Sequence, residues 1–216
     1  MIHGYWNIRG YSQPIRLLLA QADVEYEDKR YNYGSTPETL RTEWMNDKFN
    51  LGLDFPNLPY LFDGDVKITQ SIAILRYLAR KYKLVPNNEK QTARVDMIEQ
   101  EIIDWRSQQS QCFYNSDHDN VKAAYIEGLK GKVKSLSAFL GSNEWLSGGG
   151  LTYVDFLAYD WIDVNRIFYP ELLNGADNLV AYHKRVESLR NIAAYIKSEK
   201  FIKYPLNGAW AAWGGK

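Results

Sequence analysis

The sequence has little cysteine, little histidine and no net charge, and each shortage excludes a class of protein. Cys112 is the one cysteine among 216 residues, so neither an intrachain disulfide framework nor a Cys-x-x-Cys redox pair is possible. A single thiol is typical of a reducing compartment, and we expect a cytoplasmic protein. The three histidines, His3, His118 and His183, lie far apart without metal-ligand spacing, so we predict no metal site.

Charge and hydropathy exclude two kinds of partner. The 26 basic residues balance the 26 acidic ones, whereas a nucleic-acid-binding protein usually carries a basic excess. No apolar run approaches the roughly 20 residues that span a bilayer. Segment 1–5 lacks the charged start and the long apolar stretch of a signal peptide. We therefore expect neither a nucleic-acid partner nor a membrane partner.

The remaining composition is that of a globular protein. Hydrophobic residues make up 45% and charged residues 24% of the chain. A length of 216 residues suits one large domain or two modest ones. The 7 Trp and 16 Tyr residues suit a site for flat apolar ligands, although they do not prove one.

Residues 1–83 predict an α+β domain with a mixed sheet. Its elements follow the order β-α-β-α-β-β-α: a strand at 2–7, a helix after an N-cap at Ser12, a strand at 27–33, a polar helix near Trp44, a hairpin around Asp63-Gly64, and a helix at 71–84. A β-α-β unit followed by a hairpin and a helix predicts helices packed on a four-stranded mixed sheet.

Residues 90–216 predict a second, all-helical domain after a polar linker at 84–89. The predicted helices lie at roughly 90–115, 120–140, 153–167, 178–189 and 191–199. Gly148-Gly149-Gly150 lacks the following Lys and Ser/Thr of a phosphate loop, so we predict a turn there. Thr152 and Asp155 form a capping-box pattern, with Leu151 and Phe156 spaced as a hydrophobic staple.

Five motifs occur in order along the chain. They are Gly4-Tyr5-Trp6-Asn7-Ile8-Arg9-Gly10, the run at 51–60 with Leu58-Pro59, Ile68-Thr69-Gln70-Ser71, Ile74-Leu75-Arg76-Tyr77-Leu78-Ala79, and the run at 152–160. Together they resemble the mu class of the cytosolic glutathione transferases, over the whole chain and including the extended loop at 34–43. The resemblance implies a thioredoxin-like domain followed by a helical domain. It also implies a homodimer that conjugates glutathione, as co-substrate without a bound cofactor, to hydrophobic electrophiles in detoxification.

The resemblance makes Tyr5 the residue that activates the thiol of glutathione. A thiol with a pKa of about 8.5 is only a few per cent ionised at pH 7. Lowering that pKa by about two units needs about 2.7 kcal/mol, and one hydrogen bond to a charged group supplies roughly 1.5–3 kcal/mol. A phenol remains a donor at neutral pH, so it can supply that bond. Without the motif, Tyr5 would be interpreted as a half-buried strand aromatic.

The resemblance also implies a set of glutathione-binding residues. They are Trp6, Arg41, Trp44, Lys48, Asn57, Leu58, Pro59, Gln70, Ser71 and Asp104. Gln70 and Ser71 open a helix whose N–H groups can bind the γ-glutamyl carboxylate, although a plain N-cap also explains Ser71. In the family the bond between Leu58 and Pro59 is cis, and Leu58 pairs by its backbone with the cysteinyl residue.

The two ends of the tripeptide need further partners. Trp44 and Lys48 share a helical face and would contact the glycyl carboxylate, but Lys48 could equally be an ordinary solvated lysine. By resemblance, Asp104 of the second subunit binds the γ-glutamyl ammonium. The alternative for Asp104 is a surface carboxylate paired with Arg106 or another basic neighbour.

The second substrate is expected beside the sulfur. By resemblance its site includes Ile8, Tyr11, Arg106, Ser110, Tyr114 and Gly208. Tyr114 resembles a second tyrosine of the family that donates to the electrophile. The run 107–111, Ser-Gln-Gln-Ser-Gln, is more polar than is usual in the family, and a Ser110 that faces the site would make the acceptor site polar. Cys112 has no neighbouring base in sequence, so we interpret it as structural.

The expected homodimer depends on Phe55 and Arg76. In the family the aromatic at the position of Phe55 enters a pocket of the partner, whereas burial in its own core is the alternative. Arg76, with Asp96 and Glu99, would add charge pairs across the interface. Two other functions stay open: a non-catalytic carrier of apolar ligands, and isomerase or peroxidase chemistry at the same site.

Overall fold

The computed structural model describes residues 1–215, and its first half contains a four-stranded mixed sheet. The elements are β1 (Ile2–Trp6), a 3₁₀ turn (Gly10–Ser12), α1 (Gln13–Gln21), β2 (Glu27–Tyr31), α2 (Thr42–Asp47), β3 (Tyr60–Asp63), β4 (Val66–Thr69) and α3 (Ser71–Lys81). The strand order is β2-β1-β3-β4, with β1 parallel to β2 and β3 antiparallel to both β1 and β4. The predicted sheet and its order of elements are confirmed.

The hairpin between β3 and β4 forms where the Asp-Gly pair predicts it. Gly64 has φ +60°, a left-handed conformation that costs glycine little. Helix α3 ends three residues earlier than predicted, because Lys83 also takes a left-handed conformation with φ +58°. The N–H of Leu84 then bonds to the carbonyl of Ala79, which closes the helix in a Schellman arrangement.

The start of α1 differs from the prediction. Ser12 precedes the helix, but its side chain makes no capping bond. The 3₁₀ turn runs directly into α1, and the N–H of Gln13 bonds to the carbonyl of Arg9. The hydroxyl of Ser12 lies 3.1 Å from Nε2 of the buried His3 instead. The predicted role of Ser12 as a side-chain cap is therefore wrong.

The second half is helical, as predicted. Its helices are α4 (Glu89–Phe113), α5 (His118–Leu140), α6 (Tyr153–Phe168), α7 (Asp177–Ser188) and α8 (Arg190–Lys197). The predicted linker 84–89 follows α3, and its last residue, Glu89, is already the first residue of α4. The predicted C-terminal limit includes Lys216, which lies outside the described residues. Within residues 1–215, no helix is long and apolar enough to cross a membrane.

Helix α6 joins the two halves in one core. Twelve of its sixteen residues are buried, and it packs on α1, α4 and α7. The predicted capping box holds its N-terminus, because the N–H of Thr152 donates to Asp155 at 2.8 Å. A second oxygen of Asp155 accepts the N–H of Leu146 at 3.0 Å. Burial raises the pKa of Asp155 to about 6, although these hydrogen bonds oppose that shift.

Candidate active site

Tyr5 lies near the C-terminal end of β1 with its hydroxyl inside the protein. Its side chain is 5% exposed. The phenol oxygen accepts the backbone N–H of Tyr11 at 3.2 Å. Burial raises the pKa of Tyr5 to about 12, and the bond from Tyr11 lowers it in part. The phenol therefore stays protonated at neutral pH, and its O–H group can donate a hydrogen bond to a ligand.

Gly10 provides the space that Tyr5 occupies. Its φ is +46°, and a Cβ placed there would lie 2.7 Å from the phenol oxygen of Tyr5. Only a glycine allows both this conformation and this approach without strain. The sequence analysis assigned Gly10 no role, although its place at the end of the first motif was a usable signal.

A buried charge network lies behind the same loop. Asp160 on α6 accepts from Arg9 at 2.9 Å and from Arg106 at 2.7 Å. The second arm of Arg106 donates to the carbonyl of Gly10 at 3.0 Å. Burial alone would lower the pKa of Arg9, but the charges of Asp160 and Asp163 raise it well above its usual value. The network thus ties the loop under Tyr5 to α4 and α6.

This network changes the interpretation of Arg106. Arg106 borders the acceptor cavity, as predicted, but its guanidinium is bound to Asp160 and to Gly10. Sequence reasoning missed Arg9 and Asp160 as site residues. Both are charged residues inside motifs that are otherwise largely apolar and aromatic, and this charge was the signal that could have identified them.

The segments expected to bind glutathione lie at the edge of the sheet. Gln70 has φ +73°, a conformation that residues other than glycine adopt rarely and mainly at functional sites. Ser71 follows as the first residue of α3, where free N–H groups favour an anion. The Leu58–Pro59 bond is cis, as the resemblance implies, and the N–H of Leu58 donates to the side chain of Asn57 at 2.9 Å.

Aromatic contacts hold the remaining predicted glutathione residues. Trp44 is buried against Tyr31 and Tyr60. The ring of Trp6 stacks on Tyr33 at 4.4 Å. Arg41 lies over the ring of Trp210, with its guanidinium carbon 5.0 Å from the ring centre, and Lys48 is half-buried at the end of α2. Their contacts with glutathione stay predictions.

The acceptor side is polar and narrow. The hydroxyl of Tyr114 accepts the backbone N–H of Gly208 at 2.7 Å. The hydroxyls of Tyr11 and Ser110 lie 2.9 Å apart across the cleft. The cavity between them measures about 40 Å³ and is lined by Tyr5, Gly10, Tyr11, Arg106, Gln109, Ser110, Tyr114, Asp160, Val164, Leu206 and Asn207. Ile8 is buried outside this lining, near Gly10.

Two further cavities help to locate the site. One of about 150 Å³ lies between α1, α3 and α4, beside Ser71 and Arg106. A larger one of about 520 Å³ lies between α5 and the segment after α6, and it contains none of the predicted site residues. We base the site on the cavities around Tyr5 and Ser71, because only these join the predicted chemical groups.

The residues expected at the dimer interface differ in their surroundings. Phe55 is 77% exposed, so the alternative of burial in its own core is wrong. Arg76 donates to Glu99 at 2.8 Å within the same chain, in contrast to the expected pairing of Glu99 across the interface. Asp104 is exposed on α4, and within residues 1–215 the structure gives it no ion pair. The proposed pair with Arg106 is absent because Arg106 binds Asp160.

Two clusters of titratable side chains lie outside the cleft. Cys112 has no neighbouring base in sequence, but the fold brings His118 beside it, with its Nδ1 3.8 Å from the sulfur. That nitrogen lies closer, at 2.9 Å, to the carbonyl oxygen of Cys112, and burial raises the pKa of the thiol.

Asp163, His183 and Glu187 also come within metal-ligand distance of one another. Guanidinium groups approach both Asp163 and His183, and these charges oppose a cation there.

Comparison with known proteins agrees with this geometry. Residues 1–80 match the model of the glutathione S-transferase N-terminal domain, and residues 103–199 match that of the C-terminal domain. The chain is 50% identical over 216 residues to glutathione S-transferase Mu 3 of Homo sapiens, covering 100% of this chain and 96% of that protein. It is 49% identical to glutathione S-transferase Mu 5 of Mus musculus, with the same coverage.

Solved structures give the same result. The crystal structure of the glutathione S-transferase Blo t 8 superposes with a TM-score of 0.91 at 36% identity, covering 99% of this chain and 100% of that one. A Pi-class glutathione S-transferase of Onchocerca volvulus gives a TM-score of 0.85 at 29% identity, covering 97% and 98%.

The four-stranded mixed sheet and the helical domain are those of a glutathione transferase, and the chain belongs to the glutathione S-transferase family. Within that family it is a member of the mu class. Its activity is glutathione conjugation, and glutathione is a co-substrate of the reaction.

Proposed function

We propose that Tyr5 activates glutathione by donating a hydrogen bond to its thiolate sulfur. One observation carries this proposal: the phenol oxygen already accepts the N–H of Tyr11, so its own proton is directed elsewhere. The raised pKa of Tyr5, about 12, supports a role as donor rather than base. A bond from this group to a charged sulfur is worth roughly 1.5–3 kcal/mol, which corresponds to one to two units of thiol pKa.

The same geometry supports an assignment for the rest of glutathione. The γ-glutamyl carboxylate would bind the N-terminus of α3 at Ser71, beside the cavity of about 150 Å³. The strained backbone of Gln70 would be held for this contact. The cysteinyl backbone would pair with Leu58 and replace the bond that the N–H of Leu58 donates to Asn57. Trp44, Lys48 and Arg41 would contact the glycyl end.

The proposed conjugation takes two forms, substitution and conjugate addition, and both begin with the thiolate of glutathione. The thiol proton leaves to solvent, and the thiolate sulfur bonds to an electrophilic carbon. In substitution, a leaving group departs with the displaced electron pair. In conjugate addition, that pair moves to the acceptor oxygen, which gains a proton from solvent. The hydroxyl of Tyr114 is suited to donate to that oxygen, because its own oxygen accepts the N–H of Gly208.

We place this activity in a cytoplasmic homodimer that acts in detoxification of hydrophobic electrophiles. Phe55, 77% exposed between Asp54 and Pro56, supports a partner that covers it. Asp104 is exposed and has no ion pair among residues 1–215, so it would be available to bind the γ-glutamyl ammonium in the site of the other subunit. Replacing Phe55 by serine would then weaken the dimer, which sedimentation velocity measures against Phe49→Ser. Phe49 is also exposed, and the proposal gives it no place in the interface.

Turnover tests the proposal directly. The purified chain is mixed with glutathione and a chromogenic aryl halide, and product absorbance is followed over time. We expect a rate well above the uncatalysed reaction. Binding of apolar ligands without turnover would instead favour the carrier. Turnover of peroxides or isomerisable ketones without conjugation would favour another chemistry at the same site.

A further inference from the structure

A side-chain hydrogen bond spans the mouth of the acceptor cavity. Tyr11 belongs to the 3₁₀ turn before α1, and Ser110 belongs to α4, 99 residues further along the chain. Their hydroxyl oxygens lie 2.9 Å apart. Tyr11 is 43% exposed, so this bond lies at the solvent side of the cavity. It joins one wall, from the N-terminal domain, to the other wall, from the helical domain.

The space behind this bond is small and polar. The cavity measures about 40 Å³, which is room for only a few water molecules. Side chains with hydrogen-bonding groups surround it, including Tyr114, Gln109 and Asn207. An aromatic ring of an electrophile does not fit this volume while the bond between Tyr11 and Ser110 is intact. A short acceptor with one oxygen needs far less additional space than an aromatic ring and finds donors around it.

We propose that the hydrogen bond between Tyr11 and Ser110 is a latch that selects electrophiles by size. The selected class is small conjugate acceptors, such as short unsaturated aldehydes and ketones, which enter with the latch closed. Bulky aryl electrophiles enter only after the latch opens. This inference rests on the proposed conjugation at Tyr5 and names the substrate class of that site.

The latch is separate from the activation of the thiol. The hydroxyl of Tyr11 bonds to Ser110, whereas its backbone N–H bonds to Tyr5. Arg106 lies over the ring of Tyr11, with its guanidinium carbon 5.0 Å from the ring centre, and holds the ring in place. Removing the hydroxyl alone leaves the amide and the ring contact unchanged. A variant without the hydroxyl therefore isolates entry of the acceptor from ionisation of glutathione.

The magnitude of the effect follows from the strength of one hydrogen bond. A bond between two neutral hydroxyls at a partly exposed position changes an equilibrium by about two- to tenfold. Opening the latch for a bulky acceptor therefore raises its KM by about that factor. A small acceptor experiences no such penalty. The latch thus sets a preference between acceptors and does not prevent either from reacting.

The test is a double-mutant cycle with two acceptors. Wild type, Tyr11→Phe, Ser110→Ala and the double variant are each assayed for KM and kcat with a four-carbon unsaturated ketone and with a bulky chloronitroaryl. Each single variant should lower the ratio of the KM for the aryl acceptor to the KM for the ketone by about two- to tenfold. The double variant should match either single variant, because the bond is lost only once.

A neighbouring residue provides the control. Gln108 lies on the same helix, is exposed and does not line the cavity, so Gln108→Ala should match wild type with both acceptors. Three results would overturn the latch: an unchanged ratio of the two KM values, a double variant equal to the product of the singles, or an equal change in Gln108→Ala. Absence of turnover in wild type with both acceptors would instead overturn the proposed function.

Discussion

The two sides of the cleft each present a tyrosine, but they are built differently. Tyr5 lies on a central strand, is almost completely buried and has its oxygen bound by the amide of Tyr11. Tyr114 lies at the end of α4, is half-buried and has its oxygen bound by the amide of Gly208. In both cases a backbone N–H occupies the oxygen and leaves the phenol proton to donate.

The surroundings of the two tyrosines differ in rigidity. The thiol side is fixed by strand pairing, by Gly10 and by buried ion pairs to Asp160. The acceptor side is assembled from a 3₁₀ turn, a helix and the C-terminal segment, joined by single hydrogen bonds. Activation of the thiol, common to every reaction of the enzyme, thus has the firmer support. The choice of electrophile depends on contacts worth about one hydrogen bond each.

The largest expected effect comes from Asp160, which supports the thiol side. Replacing it by asparagine removes the carboxylate that two buried arginines share. Arg9 keeps its pair with Asp163, but Arg106 is left as a buried charge without its ion pair, which costs about 3–5 kcal/mol. For a chain of this length we expect the melting temperature to fall by about 6–20 °C. Thermal unfolding by circular dichroism measures the shift.

The control for this prediction is an acidic residue whose ion pair lies on the surface. Asp119 pairs with Lys122 on the surface, so Asp119→Asn should change the melting temperature little. Equal shifts in the two variants would show that the network around Asp160 gives the thiol side no special stability.

A smaller effect is expected at Gly10. Replacement by alanine forces a residue with a Cβ into φ +46° and brings that Cβ within 2.7 Å of the phenol oxygen of Tyr5. The free energy of unfolding should fall by about 1–2 kcal/mol, and turnover should fall because Tyr5 is displaced. Urea unfolding and a conjugation assay measure the two changes.

Gly131 provides a control, because its replacement by alanine should change stability in the opposite direction. It lies within α5 with open space around it, so Gly131→Ala should raise stability by about 0.5–1 kcal/mol and leave turnover unchanged. If Gly10→Ala behaved like Gly131→Ala, the close approach to Tyr5 would have no role in holding the phenol.

The smallest effect concerns pH. Because burial raises the pKa of Tyr5 to about 12, the phenol remains a donor while the thiolate fraction of glutathione increases. We expect kcat/KM not to fall between about pH 8 and pH 10, where an ordinary tyrosine with a pKa of about 10 would begin to ionise. A pH–rate profile with a non-ionisable acceptor measures this. A decline centred near pH 10 would mean that Tyr5 has an ordinary pKa.

The raised pKa of Tyr5 should also make the free energy of unfolding depend on pH at higher pH. Between about pH 10 and pH 12 the unfolded chain loses the Tyr5 proton, whereas the folded chain retains it. The folded state then binds more protons than the unfolded state, so the contribution of Tyr5 to stability falls as pH rises through this window.

Much of the fold could be predicted from the sequence, because it depends on local patterns. The Asp63-Gly64 turn, the capping box at Thr152 and the period of the long helices each use residues close in sequence. The end of α3 was missed because a lysine takes a conformation that the sequence does not favour at that point. The role of Ser12 was missed because its hydroxyl turns to His3.

The candidate site was predictable only as far as the motifs extend. Tyr5, Leu58 and Ser71 lie in motifs that name their roles by resemblance. The partners of Arg9 and Tyr11 lie 151 and 99 residues away, and no local pattern pairs such residues. Tertiary packing alone brings Asp160 and Ser110 to them, so the structure was needed to identify the ion network and the latch.

The most direct test of thiol activation by Tyr5 is the thiol pKa of glutathione bound to the enzyme. Thiolate absorbance in the ultraviolet, followed against pH, is compared between the wild type and Tyr5→Phe, with saturating glutathione in both. We expect the wild type to hold the thiol pKa about one to two units below 8.5, and Tyr5→Phe to return it towards that value with little loss of glutathione affinity. The thiolate fraction at pH 7, and with it the rate of conjugation, should fall by about 8- to 25-fold in parallel. An equal thiol pKa in the two proteins would show that Tyr5 does not activate the thiol.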